Sequence, residues 1–362
     1  MLQLSRLCIV TALFIASSRC FTPSPHSPSP ARRHGGSRTP RRLSRLRMSA
    51  DDGFADWSGK TAFFFPGQGA QYVGMATETA EAVPKAKELF DKASEILGYD
   101  LLERCRDGPK DLLDKTAVCQ PAIFVASMAA VEKLRQERGE EEANKATCCL
   151  GLSLGEYSAL CYAGALSFED GVKITKTRGE AMQSAADGAE SGMVSVIGLD
   201  SDTVGKICDK AAEKTGEPVI VANYLCNGNY VTSGSKAACE EVMAIAKPDF
   251  KARMTVKLAV AGAFHTDFMK PAVEKLEAVL SGVEIKTPRI PVISNVDARP
   301  HSDPDTIKQL LAKQVTSPVQ WESSVKAVLE RGYESGYELG PGTVLAGILK
   351  RIDKTKQLAS IC

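Results

Sequence analysis

The sequence predicts an α/β protein with a mainly parallel sheet, into which a smaller βαββαβ unit is inserted. Three observations carry this. Short apolar runs alternate with amphipathic helical stretches up to about residue 188. Between about 189 and 260 the order changes to strand-helix-strand-strand-helix-strand. Past 261 the alternation returns. Alternation of strand and helix favours a parallel sheet covered by helices, and the inserted order is that of a ferredoxin-like unit.

The elements follow in chain order. "TAFFFPGQGAQ" (61–71) is a buried strand closed by a Pro-Gly turn. "PKAKELFDKASEIL" (84–97) is an amphipathic helix stopped by Gly98, and residues 120–139 form a second helix with Pro121 near its start and Gly139 after its end. "KATCCL" (145–150) is a short buried strand, followed by helices over 156–166 and 168–186. In the insert, 193–199 is a strand and 201–216 a helix with Ser201 as N-cap. Two strands, 219–225 and 229–235, meet at a tight "CNG" turn. A helix over 236–247 and a strand over 253–260 complete it. Strands at 290–296 and 332–341 and a final helix return the chain to the larger unit. The division is therefore a leader (1–50), a large subdomain in two parts (60–188 and 261–362) and a small subdomain (189–260).

Charge sets the class of partner. The first fifty residues hold nine Arg and no Lys, Asp or Glu. Removing those nine from 45 basic residues leaves 36 against 44 acidic ones, so the net charge of +1 hides an acidic body. That balance argues against nucleic acid. Residues 6–18 have a signal-like apolar core, too short to span a bilayer, and a Pro/Ser/Arg-rich tract follows. A signal followed by a transit-like tract, with Phe21 at the junction, resembles the two-part leaders of algae with complex plastids and implies the plastid stroma. No second apolar run reads as a membrane span, so no stable membrane insertion is expected. Nine of the eleven cysteines lie past residue 50, without CxxC or metal-ligand spacing, which fits free thiols in a reducing compartment.

Chemistry concentrates at "GLSLGEYSAL" (151–160). A strand, a glycine-bracketed serine and a helix are the parts of a nucleophile elbow, with Ser153 at the helix N-terminus. A serine hydroxyl needs a base, and only His265 and His301 follow residue 50. His265 ends a strand-like run beside small residues. His301 lies in "DARPHSDPD", which reads as a solvated polar loop. His265 is therefore the expected base. No carboxylate is placed to complete a triad, since Asp267 is too close in sequence to reach back, and a backbone carbonyl can orient the ring instead. From the residues alone Arg178 reads as a solvated helix charge, although an arginine suits a carboxylate ligand. "FPGQGAQ" lacks the lysine and spacing of a phosphate loop.

Six motifs stand in register: "FPGQGAQYVGM", "QPAIF", "GLSLGEYSALCYAGALSFEDGVKITKTRGEAM", "GAFHTDFM", "QVTSPVQW" and "ELGPGTVLAGIL". Together, over about 60–352, they resemble the malonyl-CoA:acyl carrier protein transacylase family. Many bacterial members carry a histidine where this chain has Leu152, and plant-type members resemble its G-L-S-L-G form. The resemblance implies an α/β-hydrolase-like core with a ferredoxin-like insert and a ping-pong transfer of malonyl from CoA to the phosphopantetheine thiol of acyl carrier protein. It implies Ser153 as nucleophile and His265 as base, held by the Gln314 backbone carbonyl. It implies the amides of Gln68 and Leu154 as the oxyanion hole, Arg178 on the malonyl carboxylate, and Phe264 crowding α-methyl branches. No cofactor or metal is expected, and the chain is expected to act as a monomer. Because the carrier is acidic in the family, a basic patch drawn from Lys173, Lys176, Lys257 and Lys270 is expected near the site. A serine hydrolase or thioesterase with the same elbow, a freestanding acyltransferase for a polyketide synthase, and a non-catalytic carrier-binding protein are the competing readings.

Overall fold

The computed structural model describes residues 52–362, and the leader read over 1–50 lies outside them. Nine strands are present among the described residues: β1 (Thr61–Phe65), β2 (Cys148–Gly151), β3 (Ser191–Ile197), β4 (Val219–Cys226), β5 (Asn229–Ser235), β6 (Met254–Lys257), β7 (Val292–Ile293), β8 (Ser335–Leu339) and β9 (Ala359–Ile361). They form two sheets, ordered β7-β2-β1-β8-β9 and β4-β5-β3-β6.

The five-stranded sheet is parallel at every pairing, and β1, at its centre, is buried along its whole length. A strand covered on both faces needs an unbroken apolar run rather than an alternating one, and "TAFFF" supplies it. Helices close over both faces. The largest core gathers Phe63, Phe65, Phe90, Phe124 and Leu339, and a second gathers Phe64, Leu150, Trp321 and Leu349. The helix Thr116–Asn144 is long and apolar enough to meet the size of a membrane span, unlike the sequence reading, but its apolar residues are buried in the protein. Gly139, at φ 89°, breaks that helix where the sequence placed its end, and a further stretch follows to Asn144.

The four-stranded sheet is antiparallel, and its strand order is that of a ferredoxin-like unit. Its core, Val194, Val196, Ile207, Val221 and Val242, lies under the helices Ser201–Thr215 and Lys236–Ala246. Three local expectations are corrected. Asp200, not Ser201, caps the first of these helices, its carboxylate accepting from the Thr203 amide at 2.8 Å. β6 ends at Lys257 instead of 260, because past Leu258 the chain leaves the sheet to carry a loop. β7 pairs over only two residues, because the chain turns away at Ser294.

Candidate active site

In parallel sheets the strand C-termini open onto one edge, and loops there converge. Ser153 lies two residues past β2, Gln68 three past β1 and Asn295 two past β7. The elbow is tight. A Cβ on Gly151 would lie 1.9 Å from the Gly155 carbonyl carbon, and one on Gly155 would lie 2.1 Å from the Phe65 carbonyl oxygen. Only hydrogen fits at both places. Ser153 itself adopts φ 51°, a strained left-handed conformation for a side-chain-bearing residue.

Two groups meet the serine hydroxyl. His265 Nε2 lies 2.9 Å from Ser153 Oγ, and Arg178 donates from Nη2 to the same oxygen at 3.1 Å. His265 Nδ1 lies 2.9 Å from the Gln314 carbonyl oxygen. A carbonyl only accepts, so Nδ1 carries the proton and Nε2 presents its lone pair to the serine. Burial, and then the positive charge of Arg178, push the His265 pKa down to about 4, so the ring is neutral at pH 7. Asp267 instead faces solvent and pairs with Lys270.

Arg178 is 1% exposed, which corrects its reading as a solvated charge. It donates from Nη1 to Gln120 Oε1 at 2.7 Å and from Nη2 to Gln314 Oε1 at 2.8 Å, while its Nε has no partner among the described residues. His301 is likewise buried, 2.9 Å from Asp297, and not in a solvated loop. His265 lies in a loop eight residues past β6, not at a strand end, with φ 61°.

The oxyanion candidates sit beside the elbow. A Cβ on Gly67 would lie 2.2 Å from the Leu152 carbonyl oxygen, so the "GQG" turn runs directly against the "GLS" turn. Gln68 is anchored by its side chain, which donates to Thr116 Oγ1 at 3.2 Å. Leu154 packs with Cys119 and Ile123. Neither the Gln68 nor the Leu154 amide has a hydrogen-bond partner among the described residues. Phe264 precedes the histidine, with its ring in the main core and its carbonyl accepting from Ser233 at 2.8 Å.

Three site residues went unassigned in the sequence: Gln120, Glu156 and Asn295. Asn295 Oδ1 accepts from the Ser153 amide at 2.6 Å, and Nδ2 donates to the Gly151 carbonyl at 2.7 Å, so one side chain ties both sides of the elbow. Glu156 is buried and joins Asn295 to Gln314. Gln120 was inside a quoted motif and Glu156 inside another, but neither had a visible partner. The expected basic patch is largely spoken for: Lys173 pairs with Asp170, Lys270 with Asp267, and Lys176 donates to the Leu97 carbonyl.

A strand–elbow–helix serine beside a neutral histidine, on a parallel α/β core with a ferredoxin-like insert, defines a class that works through an acyl-serine, and the family match makes it an acyltransferase. Residues 62–361 match the acyl transferase domain family. More narrowly, the chain belongs to the malonyl-CoA–acyl carrier protein transacylase family. It is 40% identical over 295 residues to the Bacillus subtilis malonyl CoA-acyl carrier protein transacylase, covering 82% of this chain and 91% of the relative. The solved Coxiella burnetii malonyl CoA-acyl carrier protein transacylase superposes with a TM-score of 0.80 at 35% identity, over 84% of this chain and 94% of that one. A malonyl-transacylase solved with a type II polyketide synthase acyl-carrier protein superposes at 0.77, with 36% identity over 83% of this chain and 94% of the other.

Proposed function

We propose that this enzyme moves malonyl from malonyl-CoA to the phosphopantetheine thiol of acyl carrier protein through a malonyl-serine ester. The observation that carries it is the pair of contacts on one oxygen: His265 Nε2 at 2.9 Å and Arg178 Nη2 at 3.1 Å from Ser153 Oγ. Ser153 Oγ attacks the thioester carbonyl while His265 Nε2 takes its proton. The amides of Gln68 and Leu154, both unspent, hold the oxyanion. When the tetrahedral adduct collapses, the carbon–sulfur bond breaks and the CoA thiolate leaves with the proton from His265. In the second half the carrier thiol gives its proton to His265 and attacks the serine ester, and Ser153 recovers the proton as it leaves. Bonds and protons balance without a cofactor.

Arg178 supplies the choice of acyl group. A buried guanidinium with an unpartnered Nε is suited to a carboxylate, because charge-assisted hydrogen bonds gain strength away from water. Intact mass of the protein mixed with malonyl-CoA is expected to show one malonyl adduct, absent in Ser153→Ala and discharged by added phosphopantetheinylated carrier. Removing the nucleophile should cost more than about 10⁴-fold in transfer rate. Free CoA released without an adduct and without carrier would assign the protein to the hydrolases instead.

A further inference from the structure

The Gln314 side chain lies between two opposite charges. On one side its Oε1 accepts from the Arg178 guanidinium at 2.8 Å. On the other its Nε2 donates to Glu156 Oε2 at 2.6 Å and to the Ser153 carbonyl at 3.0 Å. A carboxamide has one accepting end and one donating end. Turned over, it would set its carbonyl against a carboxylate and its NH₂ against a guanidinium. A single orientation therefore satisfies both neighbours, and it is the one that leaves an oxygen facing Arg178.

Glu156 is built to hold its place. It is 4% exposed, on the first turn of the helix Gly155–Tyr162, and its Oε2 also accepts from the Asn295 amide at 3.0 Å. Arg178, equally buried, has no carboxylate in direct ion-pair contact among the described residues, and Glu156 is the carboxylate whose charge acts on it. The other groups facing Glu156 are Asp297, which disfavours its ionised form, and His301, which lines a small cavity with it beside Ser294. Burial is the largest influence and pushes the Glu156 carboxyl up to about 7.

We propose that Glu156 is a positioning residue for acyl selectivity: through the Gln314 amide it holds the Arg178 guanidinium in the pose that receives the substrate carboxylate. The selectivity of the enzyme is then partly set by a residue that touches neither substrate nor the reacting atoms. This rests on the reading of Arg178 given above.

The test is the ratio of malonyl to acetyl transfer from the two CoA thioesters. Using a ratio cancels the titration of His265 and of the CoA phosphates, which both donors share. In Glu156→Gln a neutral amide oxygen replaces the carboxylate that Gln314 Nε2 and the Asn295 amide donate to, so the charge that strengthens the hold on Gln314, and through it on Arg178, is lost. The ratio should fall about tenfold, the equivalent of one charge-assisted hydrogen bond, through lower malonyl kcat/KM. In the wild type the ratio should rise between pH 6 and 8 as Glu156 ionises, and in Glu156→Gln it should stay flat. Gln314→Leu keeps the backbone carbonyl on His265 but removes the relay, so it should lower the ratio as far, and the double variant should lower it no further. A wild-type ratio in Glu156→Gln, or an equal loss of both donors, overturns the inference. If Glu156→Gln does not fold, a wild-type ratio in Gln314→Leu overturns it. Arg178→Ala separates the two layers: if it keeps the wild-type preference for malonyl, the reading of Arg178 itself has failed.

Discussion

The two halves of the site are held by different parts of the protein. Ser153 and His265 are placed largely by backbone: a turn that admits only glycine at 151 and 155, a left-handed serine, and a carbonyl behind the imidazole. Arg178 is placed by side chains, Gln120 and Gln314, drawn from helices far apart in sequence and backed by Glu156. The difference teaches where each property resides. The reactive half depends on backbone geometry, closed by the Asn295 side chain on the Ser153 amide and the Gln314 carbonyl on His265. The recognition half depends on a chain of amides and charges, in which removing one member frees the next.

The largest effect that tests this division falls on the base. His265→Ala should lower adduct formation by roughly 10²–10⁴-fold for malonyl and acetyl donors alike. The pH dependence is a sharper check. The basic form of His265 is the active one, and burial followed by the Arg178 charge holds its pKa at about 4. Acetyl transfer should therefore stay level from pH 8 to about 5 and fall only as pH approaches 4. A midpoint near the ordinary histidine value of 6.5 would show that the ring is not desolvated as the structure has it. Because the folded pKa is depressed, His265 also contributes stability that is present above 6.5 and lost as pH falls through 4. Glu156, with its pKa raised to about 7, has the opposite sign: its contribution is present below 4.5 and lost as pH rises through 7.

Asn295 joins the two halves and should give an intermediate effect. Asn295→Ala removes the acceptor of the Ser153 amide and the donor to the Gly151 carbonyl, both inside a buried elbow. Leaving those groups unpaired should cost about 1–3 kcal/mol of stability. A looser elbow should slow both donors by about tenfold, measured as kcat/KM, without moving the malonyl-to-acetyl ratio. A changed ratio would mean that elbow and recognition network are one unit.

The division also explains what the sequence made legible. Ser153 stood out because glycine spacing, a preceding apolar run and a following helix are all local signals. His265 stood out by scarcity, since only one other histidine follows residue 50. Arg178, read from its own neighbours, looked solvated, because nothing local shows that helix Phe168–Asp187 turns it inward toward Gln120. Gln120, Asn295 and Glu156 carry no periodicity, and their meaning comes from contacts across 58 to 158 residues of chain. The same holds for the fold. β1 and the strands of the insert were legible as apolar runs bounded by turns. β7 was legible within the run 290–296 although it pairs over only two residues, whereas β9, of three residues, is specified by its neighbour in the sheet and has no pattern of its own.

The smallest effect lies away from both halves and controls for the others. Ser235 ends β5 and caps the helix Lys236–Ala246, its hydroxyl accepting from the Ala238 amide at 3.2 Å. Ser235→Ala should cost about 1 kcal/mol, read as a lower midpoint of chemical denaturation. Rates for both donors should stay at wild-type values, because the cap acts on the small sheet's covering helix and not on the loop that carries His265. Set beside Asn295→Ala, it asks whether a loss of stability by itself slows transfer. If Ser235→Ala slowed both donors as much as Asn295→Ala does, the rate lost in the latter would belong to general loosening of the fold. If only Asn295→Ala slows them, the rate belongs to the elbow, and backbone placement is what makes the serine reactive.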